Sequence, residues 1–110
     1  MLLAIDIGNT NIVFGVFNEK DIIYNFRITT KTPRTSDEYG IIITQILASY
    51  EIDSNMIKKV IISSVVPGIM HSFNSAIIKY FNIIPVVVTH LQKPELNLKS
   101  LIQKKLEVIE

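Results

Sequence analysis

The first seventeen residues constrain the fold of this chain more than any other stretch. An apolar run that begins at Leu2 ends in a carboxylate, Asp6; Gly8, Asn9 and Thr10 follow, and a second apolar run takes Ile12 to Phe17. That order reads as strand, tight turn, strand. The turn is rich in residues that tolerate positive φ or bond their own backbone. A turn of this kind can aim several backbone N–H groups at one point, beside a threonine hydroxyl, and so cradle a phosphate. Asp6, at the end of a buried strand, is placed to hold a magnesium ion directly or through water, because magnesium prefers a carboxylate together with phosphate oxygens. The same turn chemistry also closes hairpins that bind nothing, and Asp6 could equally cap the strand end.

The rest of the chain extends this hairpin into an α/β unit. Residues 2–7, 12–17 and 22–30 read as three strands. In the third, Ile22, Tyr24, Phe26 and Ile28 alternate with Ile23, Asn25, Arg27 and Thr29, which predicts two distinct faces. Asn18–Asp21 makes the second turn, and the polar stretch Lys31–Ser36, with Pro33, reads as a loop. Thr35 and Glu38 have the spacing of a capping box. Tyr39, Ile42, Ile43, Ile46, Leu47 and Tyr50 then form one helical stripe. Val60–Ser64 reads as a short buried strand, Pro67 and Gly68 lead into a second helix with Ile69, Phe73, Ile77, Tyr80 and Phe81 inward, and Pro85–Val88 reads as a last strand. The predicted order is βββαβαβ, a mixed sheet of about five strands with two main helices, as in one lobe of a ribonuclease-H-like fold.

Composition excludes several classes. The chain has 110 residues, 48% hydrophobic and 19% charged, with net charge +1, which is that of one small globular domain. A chain of this length buries roughly two-thirds of its unfolded surface. No apolar run reaches membrane-spanning length, and Met1–Leu3 enters a strand without a preceding basic segment, which predicts no signal peptide. Cysteine is absent, so disulfides and thiolate metal sites are excluded and a reducing cytoplasm fits. A near-neutral charge without a basic, aromatic-interleaved stripe argues against nucleic acid as a partner.

Three stretches together carry a family resemblance. Asp6-Ile7-Gly8-Asn9-Thr10 resembles the first phosphate motif of the acetate-kinase, sugar-kinase, Hsp70 and actin superfamily, in the form found in type III pantothenate kinases. Thr35-Ser36-Asp37-Glu38-Tyr39-Gly40 resembles that family's T-x-D-E-Y-G segment, and Ser63-Ser64-Val65-Val66-Pro67 its S-S-V-V-P segment. The resemblance covers residues 1 to about 99. It implies the N-terminal, ATP-phosphate-binding lobe of an actin-like ATPase fold. It further implies an enzyme that phosphorylates pantothenate with ATP to 4′-phosphopantothenate in coenzyme A synthesis, needing magnesium and helped by potassium or ammonium, and acting as a cytoplasmic homodimer. By the same resemblance Gly8, Asn9, Thr10 and Asn11 contact the ATP phosphates and Asp6 orients magnesium. A different class stays open: a non-catalytic nucleotide-binding accessory protein of transcription, similar to one relative of the family, or an inactive gene remnant.

The resemblance fails in residues 100–110. The family continues with a tyrosine, then N-P, then V-G-A-D-R, whose aspartate is the base for the pantothenate hydroxyl. Here Ser100 replaces the tyrosine and Ile109 stands at the base position, so the expectation is that this chain holds no catalytic residue and lacks the second lobe. Ser100–Glu110 can be encoded so that reading from the third base gives S-N-P-K-K-V-G-G-D-R, as though the tail were a shifted reading of a kinase gene. The rival is a natural short protein whose tail, with Leu98, Ile102, Leu106 and Ile109 at helical spacing, is an amphipathic helix.

The remaining candidates are weaker. Arg34, with Lys31 and Arg27 nearby, could bring positive charge to phosphates or could be solvated. Asp37 and Glu38 suit a helix start. Ser63 and Ser64 could line a cleft or cap the turn before Pro67. His71 is expected at the surface, and His90 has no ligand-like neighbour in sequence for a zinc site.

Overall fold

Hydrophobic alternation in the first three segments and helical periodicity in the next place the sheet and its cover as expected. The computed structural model describes residues 1–30 and 32–89. Strands β1 (Leu2–Ile7), β2 (Asn11–Asn18) and β3 (Asp21–Thr29) are followed by α1 (Ser36–Ser49), β4 (Lys59–Ser64), α2 (Met70–Phe81) and β5 (Val86–Thr89). The sheet order is β3-β2-β1-β4-β5. β1 pairs antiparallel with β2, which pairs antiparallel with β3; β1 and β4, and β4 and β5, run parallel. This is the α/β, ribonuclease-H-like lobe. The amphipathic tail, His90, Lys31 and Ile109 lie outside the described residues.

One face of the sheet carries the main core. Leu3, Ile5 and Ile7 of β1, Ile12, Phe14 and Val16 of β2, and Val60 and Ile62 of β4 meet Tyr39, Ile43 and Leu47 of α1 and Phe73, Ala76, Ile77 and Phe81 of α2. Aromatic rings pack within and between the layers: Phe14 stacks on Phe26 at 4.5 Å between centroids, Tyr39 lies against Phe73 at 5.0 Å, and Phe14 meets Phe73 at 6.2 Å. At the sheet edge Tyr24 stacks on Tyr50, the residue that ends α1, at 4.2 Å. The opposite face holds a smaller cluster of Ala4, Phe17 and Ile22 with Leu2 and Val13, to which no described helix contributes. No helix among the described residues is long and apolar enough to cross a membrane.

The third strand corrects one expectation. Ile22 does not share a face with Tyr24. The β2–β3 register shifts between Val16 and Phe17, so Val16 pairs with Tyr24 but Phe17 with Ile22. The extra residue, Ile23, is a bulge, which reverses the alternation locally and sends Ile22 to the smaller cluster.

The helix start follows its sequence signal. Thr35 Oγ1 accepts from the Glu38 N–H at 3.2 Å, and Glu38 Oε1 accepts from the Thr35 N–H at 2.8 Å, which completes the capping box.

Candidate functional site

Asp6 lies on the sheet face away from the helices, because it alternates with the buried Ile5 and Ile7. Its lateral neighbours are Val13 on β2 and Ser63 on β4, and Val13 in turn pairs with Arg27 on β3. A single row therefore crosses the sheet as Arg27, Val13, Asp6, Ser63. Asp6 is buried, at 6% exposure, yet it lines a pocket of about 380 Å³ together with Gly8, Asn9, Thr10, Asn11, Val13, Arg27 and Val65. All five residues of the first motif singled out in the sequence, Asp6, Gly8, Asn9, Thr10 and Asn11, thus meet in one hollow.

The turn itself differs from its expected chemistry. No residue of it adopts a positive φ; among non-glycine residues that conformation occurs at Glu19, Glu51 and Asn82. The Gly8 N–H donates to the Asn11 carbonyl at 3.0 Å and closes the turn inward. Gly8 is needed for closeness rather than for φ, since a Cβ there would sit 3.1 Å from that same carbonyl oxygen. Among the described residues the N–H groups of Asn9 and Thr10 have no backbone acceptor, and both residues line the pocket.

Of two further residues outside the motif, Thr30 supports the turn and Val65 lines the hollow. Thr30, just past β3, is buried; its hydroxyl donates to the Gly8 carbonyl at 2.8 Å and its N–H to the Thr10 carbonyl at 2.9 Å. Nothing in the local sequence marks Thr30, because both of its partners lie about twenty residues earlier. Val65 is held by its N–H to the Ile7 carbonyl at 3.1 Å and forms part of the wall.

Other candidates fall elsewhere. Ser64 caps the turn, accepting from the Val66 N–H at 3.0 Å, while Ser63 is buried beside Asp6. Arg34 Nη1 donates to the Thr29 carbonyl at 2.6 Å, and its guanidinium lies 6.0 Å from the Tyr39 ring centre, so it is engaged away from the pocket. His71 is exposed on α2.

The Thr35–Gly40 segment is absorbed by packing rather than chemistry. Asp37 Oδ1 accepts from Lys79 Nζ at 2.7 Å and from the Tyr80 hydroxyl at 2.9 Å, joining the start of α1 to the end of α2. The Lys79 and Tyr80 hydrogen bonds, with the Lys79 charge, hold Asp37 below its ordinary carboxylate range. Tyr39 is in the core, and a Cβ on Gly40 would overlap the Tyr80 ring.

A larger concavity of about 480 Å³ runs along the end of α1, lined by Thr44, Gln45, Ala48, Glu51, Ile52, Asp53 and Ser54. It gathers two carboxylates and no cation, so it disfavours a phosphate. The Asp6 pocket instead gathers one carboxylate, the turn residues Asn9 and Thr10, whose N–H groups have no backbone acceptor among the described residues, and one guanidinium. This donor set fits a polyphosphate accompanied by a hard divalent cation.

The type III pantothenate kinase family model matches residues 2–108. The chain is 53% identical to the type III pantothenate kinase of Agathobacter rectalis over 88 residues, covering 80% of this chain and 34% of that protein. It is 48% identical to the type III pantothenate kinase of Bifidobacterium adolescentis over 99 residues, covering 90% of this chain and 39% of that protein. The chain thus spans between a third and two-fifths of the length of these relatives. A crystal structure of a candidate N-acetylglucosamine kinase from Porphyromonas gingivalis superposes with a TM-score of 0.58 at 16% identity, over 81% of this chain and 34% of that one, a likeness of fold.

Proposed function

The chain belongs to the type III pantothenate kinase family, and from that premise we propose that residues 1–99 are the lobe that binds the ATP phosphates for phosphorylation of pantothenate to 4′-phosphopantothenate. The observation that carries this reading is the convergence on one pocket of Asp6 with Asn9 and Thr10, whose N–H groups have no backbone acceptor among the described residues. Phosphoryl transfer asks little covalent help of a protein; it needs alignment and neutralisation of charge on the moving group. Asn9 and Thr10 would fix phosphate oxygens through their N–H groups, with the Thr10 hydroxyl and the Asn9 and Asn11 amides alongside. Gly8, already bonded within the turn, would let the phosphates approach the backbone closely. Asp6 would hold magnesium, which when bound supplies the charge neutralisation that a triphosphate requires. A monovalent cation, a homodimer and a cytoplasmic setting belong to the same proposal.

Residues 1–110 by themselves would bind but not turn over. In this reading residues 100–110 form a divergent tail in which Ile109 occupies the place of the family's base, and residues 1–99 do not include the opposing lobe that would align pantothenate. General-base help alone is worth about 10²–10⁴-fold, and lost alignment costs as much again or more. The substitution at position 109 also favours a second reading, a non-catalytic nucleotide-binding accessory protein. Calorimetry of magnesium–ATP binding, paired with a pantothenate phosphorylation assay on the 110-residue protein and on a version carrying the shifted frame and its downstream sequence, separates the two. Turnover only by the longer version supports the kinase-lobe reading. Binding with an inert longer version supports the accessory reading, and robust turnover by residues 1–110 overturns the placement of the catalytic parts.

A further inference from the structure

We propose that Arg27 is the residue that grips the outer phosphates of the bound polyphosphate, and that it makes the Asp6 pocket selective for a phosphate chain over a single phosphate. This rests on the reading of the pocket as a phosphate site. Arg27 lines the same hollow as Asp6 and the turn. It stands in the same lateral row as Asp6 with Val13 between them, since Asp6 pairs with Val13 and Val13 with Arg27. Two strand spacings separate the backbones, about 10 Å. β3 is an edge strand, so no further strand crowds the outer side of Arg27.

The other described cations are committed or distant. Lys79 is paired with Asp37. Arg34 donates to the Thr29 carbonyl. Lys59 pairs with Leu2, at the far end of β1 from Asp6; Lys58, whose N–H donates to the Met1 carbonyl, is at that end too, as is Lys20 in the turn between β2 and β3. Arg27 is exposed and lines the pocket. A guanidinium presents two parallel donors to phosphate oxygens, a geometry that lysine cannot reproduce. A single phosphate cradled at Asn9 and Thr10 is held at the tip of the β1–β2 hairpin. A chain of two or three phosphates can lie over the apolar Val13 and reach the guanidinium while a cation stays at Asp6.

The test measures binding of magnesium phosphate, magnesium pyrophosphate, magnesium tripolyphosphate and magnesium–ATP by calorimetry to the 110-residue protein and to its Arg27→Gln and Arg27→Lys variants. Ligand-free thermal melts check that the exposed substitutions leave the fold intact. The expected result is tighter binding of tripolyphosphate than of phosphate by the unaltered protein. Arg27→Gln should lose about 10- to 100-fold for tripolyphosphate and ATP and little for phosphate, with Arg27→Lys between the two. Equal chain-length preference in Arg27→Gln and the unaltered protein overturns the role of Arg27 while leaving the phosphate site in place. A fully functional Arg27→Lys overturns the two-donor grip. Absence of binding of every phosphate by the unaltered protein overturns both this inference and the reading it rests on.

Discussion

Thr30 holds Gly8: its buried hydroxyl donates to the Gly8 carbonyl at 2.8 Å, across the turn that carries the candidate phosphate donors. The Thr30 N–H also donates to the Thr10 carbonyl at 2.9 Å, so one residue at the end of β3 orients both sides of the cradle. Thr30→Val keeps the shape and removes the hydroxyl, leaving the Gly8 carbonyl short of a donor. It is expected to cost about 1–3 kcal/mol, read as a lower urea midpoint with unchanged slope, and to weaken magnesium–ATP binding. Thr30→Ser should restore both. A Thr30→Val protein as stable and as tight-binding as the original would show that the turn holds itself.

Asp6→Asn tests the metal role without changing side-chain size. Magnesium–ATP affinity should fall by an amount on the order of 1–3 kcal/mol, and binding of ATP without magnesium should fall less or even improve as a negative charge leaves the pocket. Calorimetry with and without magnesium reads both. Identical magnesium dependence in the two proteins would reject the assignment.

Gly40→Ala sets two effects against each other. Alanine stabilises a helix interior by about 1 kcal/mol relative to glycine, but here its Cβ would overlap the inner atoms of the Tyr80 ring. Crowding of that kind typically costs about 1–3 kcal/mol, so the variant should melt lower. Adding Tyr80→Ala removes the overlap, and Gly40→Ala should then stabilise that background. A stabilising effect in both backgrounds would mean that the ring moves aside freely.

Asp37 predicts a pH dependence with a definite sign. Its folded-state pKa lies below the ordinary 3.8 through its bonds to Lys79 and Tyr80. Its contribution is therefore full above the unfolded value and lost as pH falls through the lower folded value. The stability difference between the original and Asp37→Asn should be constant near neutrality and shrink below about pH 4. The pair is exposed, so added salt should reduce the difference too. Thermal melts at several pH values would reject the idea if the gap widened in acid.

Ile109→Asp tests whether the base alone is missing. On the proposed reading, in which a second lobe aligns the acceptor, the substitution should leave residues 1–110 without measurable pantothenate phosphorylation. Turnover by this single variant would place the whole catalytic apparatus within residues 1–110.

Local signals determined much of this protein directly from its sequence. The hairpin of Leu2–Phe17, the capping box of Thr35 and Glu38, the stripe through Tyr39, Ile43 and Leu47, and the order of strands and helices all depend on neighbours within one or two turns, where periodicity and capping chemistry act. Asp6 and the four residues Gly8, Asn9, Thr10 and Asn11 of the candidate site were legible for the same reason. What tertiary structure decided was everything set by register between distant segments. Arg27 joins Asp6 because β3 pairs with β2 and β2 with β1. Ile22 changes face because a bulge inserts Ile23. Thr30 reaches back to Gly8. Asp37 and Gly40 answer to Lys79 and Tyr80 rather than to a substrate. Side-chain alternation tells which residues share a face, but a shift of one residue in pairing moves every contact across the sheet, and only the folded sheet fixes that shift.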